Sequence, residues 1–239
     1  METSNPLLNR DQAFSQSGYG VDSMRLEGVI NKTGILLVLC TAAAAFSWTH
    51  PALQGPLIII GLLGGLVACL VGTFKPSTTP ITAPLYACLE GLCLGAISQI
   101  TELRWPGIVG NAILLTFGVL ALMLGLYATR IIRVTDRLVQ GVFIATAAVG
   151  LVYLIDLVMN LFGARMPYIH ESGVVGIGLS VLIVGIAAFN LLIDFRLIED
   201  RVASKSPRYM EWYCGMAVLV TLVWLYLEIL RLLSKMRSR

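Results

Sequence analysis

The sequence predicts an all-α polytopic membrane protein, built as a bundle of seven transmembrane helices. The first observation is composition: 57% of the 239 residues are hydrophobic and only 13% are charged, whereas about a quarter of the residues in soluble domains are charged. The second is that the apolar residues form seven long runs. The third is that the links between the runs are short and contain proline, which ends or prevents a helix.

The seven runs suit transmembrane helices rather than strands. A helix needs about 20 mostly apolar residues to cross the hydrocarbon core, while a transmembrane strand has about 9–11 residues of alternating polarity. We expect a polar cytoplasmic segment at 1–32, a membrane domain at 33–233 and a basic tail at 234–239. The predicted spans are 33–48, 56–74, 81–100, 107–129, 139–162, 173–193 and 213–233.

Composition also excludes several classes of protein. A mean hydropathy of +0.82 is incompatible with a disordered chain. The five cysteines lie in apolar runs without a Cys-x-x-Cys pair, which argues against a disulfide scaffold. A net charge of +3 gives no basic surface for nucleic acid. The expected partners are the lipid bilayer, cations and other membrane proteins, and no cofactor is expected.

The distribution of Lys and Arg predicts a cytoplasmic N-terminus. Eleven of these residues fall in the N-terminal segment and the second, fourth and sixth connections, against two in the other three connections. Positive charge is retained on the cytoplasmic side. The tail with Lys235, Arg237 and Arg239 is also basic, although seven crossings place it outside, so its side stays open.

Small residues recur at four-residue spacing, which lets helix backbones approach closely in lipid. We expect helix–helix contacts at three such pairs. They are Gly61 with Gly65, Gly91 with Gly95, and Ala121 with Gly125.

Acidic residues inside apolar runs are the candidate functional groups. A charge at the bilayer centre costs a few kcal/mol, so such residues usually face a cavity or a partner. No Lys or Arg lies deep in a predicted helix to neutralise them, and only Arg231, one turn after Glu228, is within local reach. The acids are Glu90 halfway along the third helix, Asp156 near the outer end of the fifth, Asp194 at the inner end of the sixth, and Glu211 and Glu228 at the two ends of the seventh.

Such acids have a functional and a structural interpretation. An apolar setting disfavours the charged carboxylate, so two neighbouring acids that share a proton near neutral pH would sense pH. When ionised, the same oxygens suit a cation. In the structural interpretation, Asp194 is an interfacial residue beside Arg196, and Glu228 is an i,i+3 partner of Arg231.

Three short segments carry a resemblance to a known family. They are Leu-Ile-Asp-Phe-Arg-Leu-Ile at 192–198, Leu-Tyr-Leu-Glu at 225–228 and Gly-Leu-Cys-Leu-Gly at 91–95. In order and spacing they resemble the bacterial branch of the transmembrane Bax-inhibitor-motif family, and the resemblance covers most of residues 29–233. It implies a bacterial inner-membrane protein whose last helix is central in the bundle.

The resemblance also implies a pH-sensitive cation leak, chiefly for calcium, gated by two acids. Carried over by motif, these acids are Asp194 and Glu228, with Glu in place of the family's Asp. Glu90 is a third candidate for ion binding or pH sensing. Glu211, Asp156 and Arg231 are secondary candidates, and no metal site beyond a calcium path at these acids is expected.

The partner of Asp194 stays open. Glu228 lies about 15 residues into the seventh helix, or roughly 22 Å from its start. Depth therefore favours Glu211, while the motif favours Glu228. The depth of Val218–Leu222 is expected to be apolar, and a neighbour there would leave Asp194 single.

No enzymatic activity is expected. Ser180 would need a histidine on a facing helix to act as a protease nucleophile, but His50 and His170 both fall in outer connections. Asp156 and Asp194 lie near opposite faces, without the Gly-x-Gly-Asp setting of an aspartyl protease. Two functions remain: a cation leak, or a non-transporting regulator that binds a membrane protease or a stress-response partner.

Overall fold

The computed structural model describes residues 23–162 and 173–238. These residues form seven α-helices and no strand, and each helix is long and apolar enough to cross a membrane. The predicted fold class is therefore confirmed. The helices are α1 (Leu26–Trp48), α2 (Gln54–Phe74), α3 (Thr79–Arg104), α4 (Ile108–Ala128), α5 (Asp136–Leu161), α6 (Val174–Ala203) and α7 (Met210–Arg237).

The last helix is the axis of the bundle. α7 packs against α1, α3, α4 and α6, and its Leu219 and Leu225 are almost completely buried. α1, α2 and α3 form a closely packed group, whereas α5 packs mainly against α6 and is the least buried helix. The outward faces carry large apolar side chains such as Ile81 and Leu114, as expected of a surface in contact with lipid.

Successive helices alternate in direction, which defines two sides of the bundle. On the N-terminal side, where α1 begins, the Met24 N–H donates to the Ser206 carbonyl oxygen at 2.8 Å. On the C-terminal side, where α7 ends, the Gln54 side chain donates to that of Gln99. On each side, a hydrogen bond therefore joins residues that are distant in sequence.

Glycine permits close approach in two of the three predicted pairs. A Cβ on Gly91 would overlap the Cys40 carbonyl oxygen of α1, and one on Gly61 would lie 2.8 Å from the Cys93 Cβ of α3. A Cβ on Gly125 would meet no atom of a neighbouring helix within 4 Å. The third pair therefore makes no close helix contact within the described parts of the chain.

The helices extend beyond the predicted spans at several ends. α1 begins at Leu26 rather than at residue 33, α6 continues to Ala203 rather than ending at 193, and α7 continues to Arg237 rather than ending at 233. The predicted spans follow the fall in hydropathy, but Glu, Lys and Arg are good helix formers, so the backbone helix continues through them. Asp194 consequently lies inside α6 and not at its end.

Some predicted features lie outside the described residues. They are the N-terminal segment as far as residue 22, and the part of the fifth connection that holds Arg165 and His170. Arg239 at the end of the basic tail is also outside them.

Candidate functional site

Asp194 is hydrogen-bonded to a neutral hydroxyl of the central helix. The Thr221 hydroxyl, near the middle of α7, donates a hydrogen bond of 2.6 Å to Asp194 Oδ2. Thr221 is buried and Asp194 is half-buried. The prediction that the 218–222 stretch offers only apolar neighbours is wrong, because Thr221 belongs to it. A carboxyl in the interior of an apolar bundle thus has a neutral partner.

The neighbours of Asp194 along α6 engage other helices. One turn earlier, the Asn190 amide donates to the Thr146 hydroxyl of α5 at 2.8 Å. Two residues later, Arg196 bonds Asp136 Oδ1 at 2.7 Å and the Val134 carbonyl oxygen at 2.9 Å. The Arg196 guanidinium is therefore turned toward the start of α5 and does not neutralise Asp194.

The Glu228 carboxylate is bound by a guanidinium and a tyrosine hydroxyl. It is only 1% exposed, and the Tyr153 hydroxyl of α5 donates to its Oε1 at 2.7 Å. Arg231 Nη1 lies 3.2 Å from the same oxygen and also bonds the Tyr153 hydroxyl. The Arg231 guanidinium stacks 4.8 Å above the Tyr153 ring. The predicted i,i+3 pair is thus present, and it is reinforced by a residue from another helix.

Glu211 is also paired with a cation, on the N-terminal side. Its carboxylate accepts the Arg25 backbone N–H at 2.9 Å and forms an ion pair with Lys32. Lys32 lies 5.5 Å above the Trp212 ring. Gly28 faces the same carboxylate and leaves no room for a Cβ. The carboxylate therefore joins the start of α7 to the start of α1.

Glu90 lies at the interface of α3 with α2. It is 9% exposed, and a Cβ placed on Gly65 would lie 2.9 Å from Glu90 Oε2. In the parts of the chain that the structure describes, no side chain donates a hydrogen bond to it. Asp156 is half-buried on α5, and its backbone carbonyl oxygen accepts the Asn160 amide at 2.8 Å.

The structure does not bring the predicted pair of acids together. Neither Glu228 nor Glu211 is hydrogen-bonded to Asp194, and each has its own cation. Within residues 23–162 and 173–238, no three His, Cys, Asp or Glu side chains meet in a way that could hold a metal ion. The side-chain partner of the Asp194 carboxylate is therefore the Thr221 hydroxyl and not a second acid.

Two cations, Lys32 and Lys235, lie inside helices although the predicted spans exclude them. The predicted spans leave Lys32 in the polar segment, and its pairing contradicts the expectation that only Arg231 could neutralise an acid. They leave Lys235 in the tail, but it is 7% exposed in α7 and donates to Ser180 Oγ at 2.8 Å. Continuing the helices through Lys and Glu at their ends would have revealed both residues.

The Ser180 hydroxyl is hydrogen-bonded to its own helix and to α7. Its hydroxyl donates to the Gly176 carbonyl oxygen one turn earlier at 3.1 Å, and it accepts the hydrogen bond from Lys235. His50 bonds the Phe46 carbonyl oxygen at the end of α1. Ser180 and His50 therefore have separate local partners.

Comparison with known proteins identifies the family of this chain. No curated protein and no solved structure matches the chain. The sequence profile of the family described as Bax inhibitor 1 like matches residues 5–238, which is nearly the whole chain. The seven spanning helices around a central last helix agree with the fold that the resemblance implied. The chain belongs to the Bax inhibitor 1 like family.

Proposed function

We propose that the protein is a pH-sensitive cation leak, chiefly for calcium, in which Asp194 is the titrating and cation-attracting group. The observation that supports this most is the Thr221–Asp194 hydrogen bond. Glu228 and Glu211 are held by Arg231 and Lys32, so their negative charges are compensated locally. Asp194 has a neutral partner, which leaves the charge of its ionised form available to a passing cation.

A hydroxyl partner suits a group that changes its protonation state. A threonine hydroxyl both donates and accepts, so it donates to the carboxylate of Asp194 and accepts from the protonated acid. The contact is therefore retained in both states, and only the charge changes. Calcium binds to oxygen ligands, with a preference for ionised carboxylates, so protonation of Asp194 lowers the flux. The proposed response is that of a single proton, since the side chain that bonds Asp194 is the hydroxyl of Thr221 and not a second acid.

The proposed location is a bacterial inner membrane with a cytoplasmic N-terminus. The support is the excess of Lys and Arg in the segments on the N-terminal side of the bundle. Labelling of a cysteine introduced at Arg133 tests the orientation. Reagent should reach it only from the cytoplasm, and labelling of intact cells by an impermeant reagent would contradict the assignment.

The test of the leak is calcium flux into proteoliposomes that contain the purified chain. We expect faster flux at about pH 8 than at about pH 6, because the carboxylate is ionised at the higher pH. Asp194→Asn should remove the pH response. The matched control is Asp200→Asn, which changes an exposed acid on the same helix, and it should retain the response.

A second variant separates a single-acid from a two-acid mechanism. Thr221→Asp places a second carboxyl opposite Asp194, and two interacting acids titrate as a pair. The flux of this variant should depend more steeply on pH than that of the unaltered protein. Vesicles that stay impermeable to calcium at every pH, with folded protein in them, would contradict the leak and favour the non-transporting regulator.

A further inference from the structure

A cavity of about 320 Å³ lies between α5 and α6 in the C-terminal half of the bundle. Its walls are mainly apolar and include Ala145, Val149, Ile183 and Ile186. Leu182 also lines it and is 61% exposed. The cavity therefore opens on the outer surface of the bundle, which in a chain with seven spanning helices is the surface toward lipid.

The end of this cavity nearest the C-terminal side is cationic. Lys235 and Arg231 of α7 and Tyr153 of α5 line it. Lys235 is buried, and its ammonium donates to two neutral acceptors, Ser180 Oγ at 2.8 Å and the Gly176 carbonyl oxygen at 3.1 Å. The third ammonium hydrogen has no acceptor among the described residues.

The described residues that line the cavity include two cations, Arg231 and Lys235, and no carboxylate. Glu228 lies beside Arg231 and is ion-paired with it. Arg231 bonds Glu228 and Tyr153 through Nη1 alone. Its Nε and Nη2 groups make no hydrogen bond to the described residues, and a guanidinium presents such donors in a planar fork that fits a phosphate.

We propose that this cavity binds an anionic phospholipid of the surrounding bilayer. One acyl chain lies against the apolar walls, and the phosphate accepts hydrogen bonds from Lys235 and Arg231. The volume falls at the lower end of the roughly 300–1,000 Å³ that is typical of ligand pockets. The two cations in the described lining favour an anionic head group. Lys235 lies in the last turn of α7, close to the end of the helix segment that is long and apolar enough to span a membrane.

Lipid retention by the purified full-length chain tests the proposal. Native mass spectrometry in detergent would follow binding of phosphatidylglycerol and of phosphatidylcholine with matched acyl chains. We expect tighter binding of phosphatidylglycerol, and a loss of about tenfold in its affinity in Lys235→Met, because a charge-assisted hydrogen bond to the phosphate is removed. Lys75→Met, which changes an exposed lysine on the N-terminal side, is the matched control and should bind as the unaltered chain does.

A second variant tests whether an acyl chain occupies the cavity, and it leaves the charged residues unchanged. Ala145→Phe fills the cavity, so it should weaken binding of phosphatidylglycerol even if Lys235→Met fails to fold. Equal binding of the two phospholipids would overturn the proposal. The same conclusion would follow from unchanged binding in Ala145→Phe, from preference for free oleate over phosphatidylglycerol, or from a dimer that excludes lipid. Asp194→Asn should retain the lipid, which separates this site from the proposed leak.

Discussion

Asp194 packs against the central helix and Glu228 belongs to it, yet the two carboxyls have different kinds of partner. Asp194 has the hydroxyl of Thr221 as its partner, whereas Glu228 is buried against Arg231 and Tyr153. The Arg231 guanidinium and the Tyr153 hydroxyl both bond the Glu228 carboxylate, so Glu228 links the end of α7 to α5. A carboxyl with a neutral partner is free to change its charge. Under the proposed function, the partner of each acid, more than the acid itself, decides whether the carboxylate is structural or senses pH.

The largest expected effect comes from removing the cation beside Glu228. Arg231→Gln leaves a buried carboxylate with only the Tyr153 hydroxyl, and we expect a loss of about 3 kcal/mol in the free energy of unfolding at neutral pH. Denaturant titration in mixed micelles measures this loss. Arg133→Gln, at an exposed position, is the control. A loss in the free energy of unfolding below about 1 kcal/mol would mean that the Arg231–Glu228 pair does not stabilise the fold, and Glu228 would not differ from Asp194 in this respect.

The next effect concerns Glu211, the other acid with a cation. Lys32→Met removes the ammonium but leaves the Arg25 N–H bond, so we expect a smaller loss of about 2 kcal/mol. The same titration compares it with Lys75→Met, which should be unchanged. Restoration of stability by a second substitution, Glu211→Gln, would show that the uncompensated charge causes the loss. Failure of this restoration would argue against the ion pair as the cause.

Asp194→Asn should change the pH response of calcium flux and leave the stability nearly unchanged, in contrast to Arg231→Gln. We expect a change below about 1 kcal/mol in the free energy of unfolding, because the amide can still accept the Thr221 hydrogen bond. The pH response of calcium flux should nevertheless be lost. Measuring unfolding and flux on the same preparation sharpens the comparison with Arg231→Gln. A strongly destabilised Asp194→Asn would instead assign a structural role to this acid.

The smallest effect is expected from Thr221→Val. This change removes one hydrogen bond at nearly constant shape, and such bonds between membrane helices contribute about 0.6 kcal/mol on average. Asp194 remains the titrating group, so the flux should still follow a one-proton dependence on pH. A flux that no longer responds to pH would mean that Thr221 takes part in sensing and does not only position Asp194.

The architecture is predictable from the sequence because the signal for it is long and repeated. Seven apolar runs and the family resemblance predict seven helices around the last one, as observed. Asp194, Glu228 and Glu90 stand out as candidates for an equally simple reason, since each is a carboxyl within an apolar run.

The partners of these acids are not predictable in the same way. A helix that is apolar nearly all round gives no periodic signal for the face that it turns to a neighbour, and helix ends do not coincide with the fall in hydropathy. Because there is no periodic signal, the contact of Thr221 with Asp194 could not be predicted. Because helix ends do not follow hydropathy, Lys32 and Lys235 are not predicted to lie inside α1 and α7. Glu211 is not at the depth of Asp194, because Asp194 lies inside α6 and not at its end.

The attachments at the two ends of α7 have a mechanical consequence. At one end Glu211 is tied to α1 through Lys32 and the Arg25 N–H, and at the other Lys235 is tied to α6 through Ser180 and Gly176. A sliding or pistoning motion of α7 along its own axis would break both sets of bonds at once. These bonds therefore fix the axial position of α7, whereas α5, the least buried helix, packs mainly against α6.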